Sequence, residues 1–218
     1  MLQANKKHNG MLTCAIRPAG IVGEKDGAGM TDGLLRTAAY APDWQLHFQL
    51  GEGDNLFDNT YVGNVAFGLA IAAEALLHTH SRVTAGEAAP LDHEKVDGEA
   101  FNVTNDSPTY FWDVAHYVWA LYGRPVTMKK VWHIPKGFML PIGALAELST
   151  YITGRKTKMT RQAVKYACMT RYFSCEKLKR RCGYTPLVGL EEGLARATKS
   201  FVLKERAESA ENGDKKVQ

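Results

Sequence analysis

Thr13-Cys14-Ala15-Ile16-Arg17-Pro18-Ala19-Gly20-Ile21-Val22-Gly23-Glu24-Lys25-Asp26 decides the reading of this chain. The pattern predicts a buried strand over Met11 to Ile16 that stops at Pro18 and breaks into a glycine-punctuated loop. Ligands of open α/β sheets bind in the crevice outside the carboxyl ends of the strands. A strand ending in Arg-Pro-x-Gly is therefore a candidate cofactor-facing loop. Pro and Gly also punctuate turns in any fold, so the stretch needs its neighbours to decide it.

Working outward, Met1 to His8 reads as a helix that lacks a capping signal in front of it and ends at Asn9-Gly10. Gly27-Ala28-Gly29 to Gly33 lacks the GxGxxG spacing and the preceding strand of a dinucleotide loop, and reads as a loop before a short helix that stops at Pro42. Trp44 to Leu50 alternates apolar and polar residues, which predicts a strand with one wet face. Leu56 to Val62 reads as extended, and Asn64 as the cap of a helix to about Leu77 with Val65, Leu69, Ala72, Ala73 and Leu76 on one face.

Thr79 to Glu99 carries five acids and one proline and reads as a polar surface loop. Ala100 to Thr104 returns as a strand, and Ser107-Pro108 opens a helix closed by Gly123. Val126 to Trp132 reads as extended, and Pro135 begins a helix that Gly154 ends. Ser174 caps a helix ending at Cys182-Gly183, and Leu190 opens the last helix. From Ala207 on, the charged residues have no apolar anchors, which predicts disorder.

Composition excludes little. Of 218 residues 45% are apolar and 23% charged, with a formal charge of +4, as in an ordinary globular protein. Cys14, Cys168, Cys175 and Cys182 form no CxxC pair, and His78 and His80 splay apart on a helix, so no metal site is expected. The apolar run from Gly137 to Ala146 is too short to span a bilayer; it reads as membrane-surface or core. Ten Lys or Arg stand against one Glu between Arg155 and Arg181. No nucleic-acid motif accompanies that stripe, so no nucleic-acid partner is expected, and a solvated or anionic-lipid-facing surface is.

Four segments together resemble an extended short-chain dehydrogenase/reductase, more narrowly the 3β-hydroxysteroid dehydrogenase family and its sterol-processing branch. They are Thr13 to Asp26, Asn55 to Ala66, Gly98-Glu99-Ala100-Phe101-Asn102-Val103-Thr104-Asn105-Asp106-Ser107-Pro108-Thr109-Tyr110-Phe111-Trp112-Asp113, and Tyr172 to Gly193. The third is the longest and most specific. The resemblance implies an α/β fold: the C-terminal part of an extended short-chain dehydrogenase (Rossmann-type) fold, lacking the N-terminal dinucleotide-binding strands. Residues 1–205 would form its last-strand and substrate-side part, and 206–218 a disordered tail.

The implied activity is NAD- or NADP-dependent oxidation of a 3β-hydroxysterol, a 4α-carboxysterol, to the 3-ketosterol. By resemblance Pro18, Ala19, Gly20, Ile21 and Val22 carry nicotinamide contacts, and Tyr61 and Asn64 lie at the substrate-side entrance. As pure structure, Tyr61 reads as a packing residue and Asn64 as a helix cap, and Arg17 is expected to pair with a local acid. The family also implies a sterol partner, an endoplasmic-reticulum or lipid-surface location and membrane-surface association, and leaves a homodimer open.

The family's chemistry uses a Tyr-x-x-x-Lys pair, because an unperturbed phenol near pKa 10 is a poor base at neutral pH. None of the nine tyrosines here has lysine four residues on: Tyr166 is followed by Thr170, Tyr172 by Glu176. The glycine-rich phosphate loop is missing as well. The chain is therefore expected to be cut short and inactive alone, and a sterol-binding or regulatory pseudoenzyme without nicotinamide chemistry stays open.

Overall fold

Pro18 ends the opening strand, as the sequence predicts, but a second strand begins after one residue. In the computed structural model, which describes residues 2–7, 10–27, 29–154 and 160–214, β1 covers Ala15–Pro18 and β2 covers Gly20–Val22. The chain continues through α1 (Met30–Tyr40), α2 (Asp43–Leu46), β3 (Phe48–Leu50), β4 (Leu56–Phe57), β5 (Asn59–Tyr61) and α3 (Val62–Thr84). Next come β6 (Ala100–Val103), β7 (Thr109–Tyr110), α4 (Phe111–Leu121) and β8 (Trp132–Ile134). The remainder is helical: α5 (Lys136–Thr153), α6 (Arg161–Ala167), α7 (Glu176–Cys182) and α8 (Leu190–Asp214).

The contacts divide the chain into two compact units, where the sequence reading keeps residues 1–205 together. The first comprises Met1–Met30, Asp58–Ser107 and Phe173–Ala197; the second comprises Thr31–Phe57, Pro108–Tyr172 and Thr198–Gln218.

In the first unit β1 pairs in parallel with β6, and β2 in parallel with β5. Helix α3 carries the chain from β5, the partner of β2, to β6, the partner of β1. One helix face, with Val65, Gly68 and Ala72, is buried. Gly68 allows the close approach there, since a Cβ would lie 3.2 Å from a Val103 methyl, a tight contact. The core gathers Val65, Val96, Phe101, Val103, Cys175, Leu178 and Tyr184, and each such large apolar side chain contributes about 1.5–3 kcal/mol on burial. By length and a mean hydropathy of 1.4, α3 could cross a membrane. Its buried face is instead committed to this core.

In the second unit β3 pairs in parallel with β8, and β4 antiparallel with β7. Phe57, Phe111 and Tyr166 meet edge to face, with centroids 5.1–6.3 Å apart. The Trp112 indole N–H donates to the Leu50 carbonyl at 2.9 Å, and that of Trp119 to Leu34 at 3.0 Å. Both tryptophans are thus packing residues. The Arg124 guanidinium closes the unit by donating to the Ala38 and Ala41 carbonyls and to Asp43.

Several expectations shift. The first strand starts at Ala15, not Met11, and the predicted loop after Pro18 is strand β2, because β5 supplies the partners. The first half of the Trp44–Leu50 strand is the helical turn α2, which follows Pro42, a residue preset for helix starts. Its alternation was real only for Phe48–Leu50. Helix α3 runs seven residues past Leu77, leaving Leu69 exposed and making Asn64 an interior residue of its first turn. Thr109–Tyr110 is strand, so α4 starts at Phe111 instead of Ser107.

Helix α8 continues to Asp214, into the stretch expected to be disordered, with Lys204 and Glu208 paired one turn apart. Residues 215–218 of that tail lie outside the described residues. So do Met1 and His8 of the expected first helix, of which Leu2–Ala4 forms a single 3-10 turn, Ala28 of the glycine loop, and residues 155–159 of the basic stripe.

Candidate functional site

The five residues expected at the cofactor form the link between two parallel pairings in the first unit. Pro18 has no N–H to give its neighbour. Instead the Ala19 N–H donates to the Val103 carbonyl at 3.0 Å, and the Gly20 N–H to the Asp58 carbonyl at 3.2 Å. The extended chain thus changes partner from β6 to β5 at Ala19. Val22 is fully buried, and Ile21, pointing the other way along the strand, is 45% exposed. Ile21 is the one side chain of the five that offers a large apolar surface outward. Gly23 ends the run where the start of α3 comes too close for a side chain: a Cβ there would lie 2.4 Å from a Val62 methyl.

Tyr61, the last residue of β5, is 7% exposed. Its hydroxyl donates to the Glu24 carboxylate, 3.0 Å from each oxygen, and accepts from the Arg196 guanidinium at 3.3 Å. The guanidinium also lies over the ring, 5.6 Å from its centroid, and hydrogen bonds to Tyr61 and Glu192 raise its pKa. Gly193 lets α8 approach, since a Cβ would be 2.9 Å from the ring. Tyr61 therefore ties the loop after β2 to the last helix. It is a packing residue with a polar tip, the plainer of the two readings the sequence allows.

Asn64 is fully buried and its carboxamide is saturated. The amide donates to Asn105 Oδ1 at 2.9 Å and to the Val188 carbonyl at 2.7 Å. Its oxygen accepts from the Leu187 and Val188 N–H groups at 2.9 and 3.1 Å. Asn105 completes the node, accepting from the Tyr61 N–H at 2.9 Å and donating to the Val188 carbonyl at 2.9 Å. A side chain with two donors and two acceptors all used has nothing left for a ligand. Asn64 is therefore a tertiary clamp; it neither caps α3 nor presents a free amide. Arg17 is exposed and makes no ion pair among the described residues, contrary to expectation.

Sequence reasoning missed Glu24, Arg196, Asn105 and Asn59. Glu24, Asn59 and Asn105 lie within the resembling segments Thr13–Asp26, Asn55–Ala66 and Gly98–Asp113, whereas Arg196 lies outside all four. Asn59 is fully buried, and neither its Oδ1 nor its Nδ2 has a partner among the described residues. It stands in register with Gly20. Asp58 beside it takes the Phe173 N–H on one oxygen at 2.6 Å and leaves the other without a partner. Burial pushes its carboxyl above the ordinary value, against the lowering effect of that N–H. Buried polar atoms without partners are uncommon and ask for a cause, such as water or a ligand.

Comparison with known proteins supplies the context for this geometry. The chain is 38% identical over 194 residues to the sterol-4-alpha-carboxylate 3-dehydrogenase, decarboxylating, of Saccharomyces cerevisiae, covering 89% of this chain and 51% of that one. Among solved structures, an epimerase from Methanothermobacter thermautotrophicus aligns at TM-score 0.57 and 18% identity, over 94% of this chain and 48% of the other. The dTDP-glucose 4,6-dehydratase of Bacillus anthracis, solved with NAD, aligns at 0.55 and 14% identity, over 94% and 49%. These establish the α/β fold of the short-chain dehydrogenase and epimerase kind. The chain spans about half the length of the curated relatives it matches. Residues 1–136 match the 3-beta hydroxysteroid dehydrogenase/isomerase family over well over half of the chain, and to that family the chain belongs.

Proposed function

We propose that this chain supplies the substrate side and the nicotinamide-flanking strand for NAD- or NADP-dependent oxidation of a 3β-hydroxysterol, a 4α-carboxysterol, to the 3-ketone. Residues 1–205 are read as the C-terminal part of the dehydrogenase fold. The yeast relative's printed name, a decarboxylating sterol-4-alpha-carboxylate 3-dehydrogenase, is one support. The observation that carries the reading is the change of partner at Ala19, which leaves Ile21 outward at the carboxyl end of a parallel strand, where such sheets bind ligands.

The fit to a nicotinamide is partial and specific. Ala19 and Gly20 spend their N–H groups on the sheet, so Pro18, Ala19, Gly20 and Val22 act by holding the strand, and Ile21 offers the apolar contact. The unpartnered Asn59 carboxamide beside Gly20 is the polar group nearest in register. A bound nicotinamide supplies the hydride acceptor. Oxidation of C3 beside a 4-carboxylate makes a β-keto acid, which can lose CO2 through a stabilised enolate. Tyr61 and Asn64 serve by fixing the end of β5 and the start of α3 beside that region. An apolar sterol also suits a lipid-surface or endoplasmic-reticulum location.

The 218 residues hold no Tyr-x-x-x-Lys pair, and that favours a second reading, a sterol-binding or regulatory pseudoenzyme. Thermal shifts of the chain with NAD, NADP and a 4-carboxysterol, each alone, separate the two. The proposed function expects a nicotinamide shift that Ile21→Asp abolishes, and no turnover by this chain alone. A sterol shift with no response to either nicotinamide would favour the pseudoenzyme; turnover would mean that the catalytic residues lie elsewhere in this chain.

A further inference from the structure

Two of the free thiols belong to the inner side of the first unit, and the backbone pairing brings them to one place. Cys14 leads into β1. The Thr13 carbonyl before it accepts from the Gly98 N–H at 2.6 Å, and the Ala15 N–H after it donates to the Glu99 carbonyl at 2.9 Å. Cys14 therefore stands beside the start of β6. It shares a strand face with Ile16, two residues on, and both side chains pack against the core cluster that contains Phe101 and Leu178.

Cys182 reaches the same end from the other direction. Cys175, Leu178 and Cys182 follow one another at intervals of three and four along α7, so they share one helical face. Cys175 and Leu178 belong to that core cluster, and Cys182 packs against it. Helix α7 crosses β6 from its carboxyl end to its amino end. At the first, the Cys175 thiol lies 3.4 Å from an Asp106 oxygen. At the second, Lys177 donates to the Ala100 carbonyl at 3.1 Å, and the Arg181 guanidinium lies 3.4 Å from a Glu99 oxygen. Cys182, the last residue of the helix, thus comes over the amino end of β6, where Cys14 enters the sheet. Cys175 is held at the other end, about 10 Å back along the helix axis. Disulfides join Cα atoms no more than about 7 Å apart, so position selects Cys182 as the partner of Cys14.

The two thiols also act on each other. Burial pushes the Cys182 thiol up to about 11, and Cys14 adds to the rise. Burial raises Cys14 as well. Both are half-buried, and Cys182 is within reach of small molecules, because it lines a surface cleft with Ile71, His78 and Arg82.

We propose that Cys14 and Cys182 form a modification site, a dithiol that hydrogen peroxide converts to a disulfide tying β1 to α7. One thiolate attacks a peroxide oxygen, the O–O bond breaks, and a sulfenic acid and hydroxide result. The second thiolate attacks the sulfenic sulfur, the S–S bond forms, and a second hydroxide leaves. The two hydroxides take up the two thiol protons as water, so the sulfurs lose two electrons and the peroxide gains them. Thiols raised in this way are poor thiolates at neutral pH. The site therefore answers sustained oxidation, and it depends on neither sterol nor nicotinamide.

The test is peptide mapping of the full 218-residue chain, kept dilute, after hydrogen peroxide at mildly alkaline pH and alkylation of the remaining thiols. The expected product is a monomer in which the Cys14 and Cys182 peptides are joined with loss of two hydrogens, while Cys168 and Cys175 are alkylated. Hydrogen exchange along β6 should slow at least about tenfold in the oxidised chain, since the cross-link restricts the unfolded state. Dithiothreitol should reverse both changes. Cys14→Ser or Cys182→Ser should abolish them, and Cys168→Ser should alter neither.

Four alkylated cysteines, or Cys14 and Cys182 oxidised singly without a link, would overturn the proposal. A link through Cys168 or Cys175, or between two copies of the chain, overturns the pairing. A joined peptide with unchanged exchange along β6 overturns the tie between β1 and α7. Mapping of the unaltered chain decides the pairing even where a serine variant does not fold.

Discussion

The Asn64 node and helix α5 invert the usual rule in opposite directions. In the first unit a polar carboxamide is fully buried and every hydrogen-bonding atom is used. In the second, an apolar stripe on α5 faces outward with no protein against it among the described residues. The first arrangement is stable because each lost water contact is replaced. The second costs little to the fold and is informative for that reason: surface apolar residues are common, but a full helical face of them needs a partner. The lesson is that the first unit spends its unusual residues on holding itself together, whereas the second displays them.

That comparison breaks first at Asn64. Asn64→Ala would orphan the Leu187 and Val188 N–H groups and unbalance Asn105, each buried loss costing about 1–3 kcal/mol. A drop of about 3 kcal/mol in the urea-derived stability of the first unit is expected. A change under about 0.5 kcal/mol would mean that water replaces the node. Gly23→Ala comes next, because a Cβ would sit 2.4 Å from the Val62 side chain. Overpacking of that kind costs about 1–3 kcal/mol, read in the same denaturant titration.

pH should separate the units. His116 lies between Trp112 and Trp119, with ring centroids 6.2 and 5.5 Å away, and both of its nitrogens lack partners. Burial pulls its pKa below the ordinary 6.5, with Asp113 opposing and His133 adding to the effect. The unfolded chain therefore takes the proton first, and the second unit loses stability as pH falls below about 6.5. All four tryptophans, Trp44, Trp112, Trp119 and Trp132, lie in the second unit. Their fluorescence should report this loss, and His116→Phe should flatten it.

In the first unit Glu99 and Asp106 are held below their ordinary values, chiefly by hydrogen bonds from Lys177 and Lys179. Their contribution is present above the ordinary carboxylate range and is lost only as pH falls through it. Hydrogen exchange along β6 should stay protected between pH 7 and 5 while tryptophan fluorescence already responds. Simultaneous loss would mean that the two units unfold as one. The smallest effect belongs to α5: Leu145→Ser should change stability by less than about 0.5 kcal/mol, as for other exposed positions.

Local signals were readable where the backbone itself supplies the reason. Gly123, Gly154 and Gly183 stop α4, α5 and α7 at positive φ, as their sequence positions predict. The strand expected over Ala100 to Thr104 is observed as Ala100–Val103, and Leu190 opens α8 as expected. The misreadings share one cause. Trp44 to Leu50 alternates like a strand, but only Phe48–Leu50 has β8 to pair with. Pro18 does end β1, but the loop expected after it is β2, because β5 pairs with the chain from Gly20 on. In the site, the saturation of Asn64 was not legible, because its partners are 41 and 124 residues away.

The family was legible in the residues alone, through the long Gly98–Asp113 segment and the strand from Thr13. The residues alone also set which stretches could be helix or strand, since periodicity, capping and glycine placement act within a few residues. Which surfaces are spent and which are open followed from the folded packing. Asn64 and Ile142 each sit on an apolar-looking helix, and nothing within ten residues of either says that one is sealed and the other exposed. That depends on what the rest of the chain brings against them, and burial is a property of contacts between distant segments.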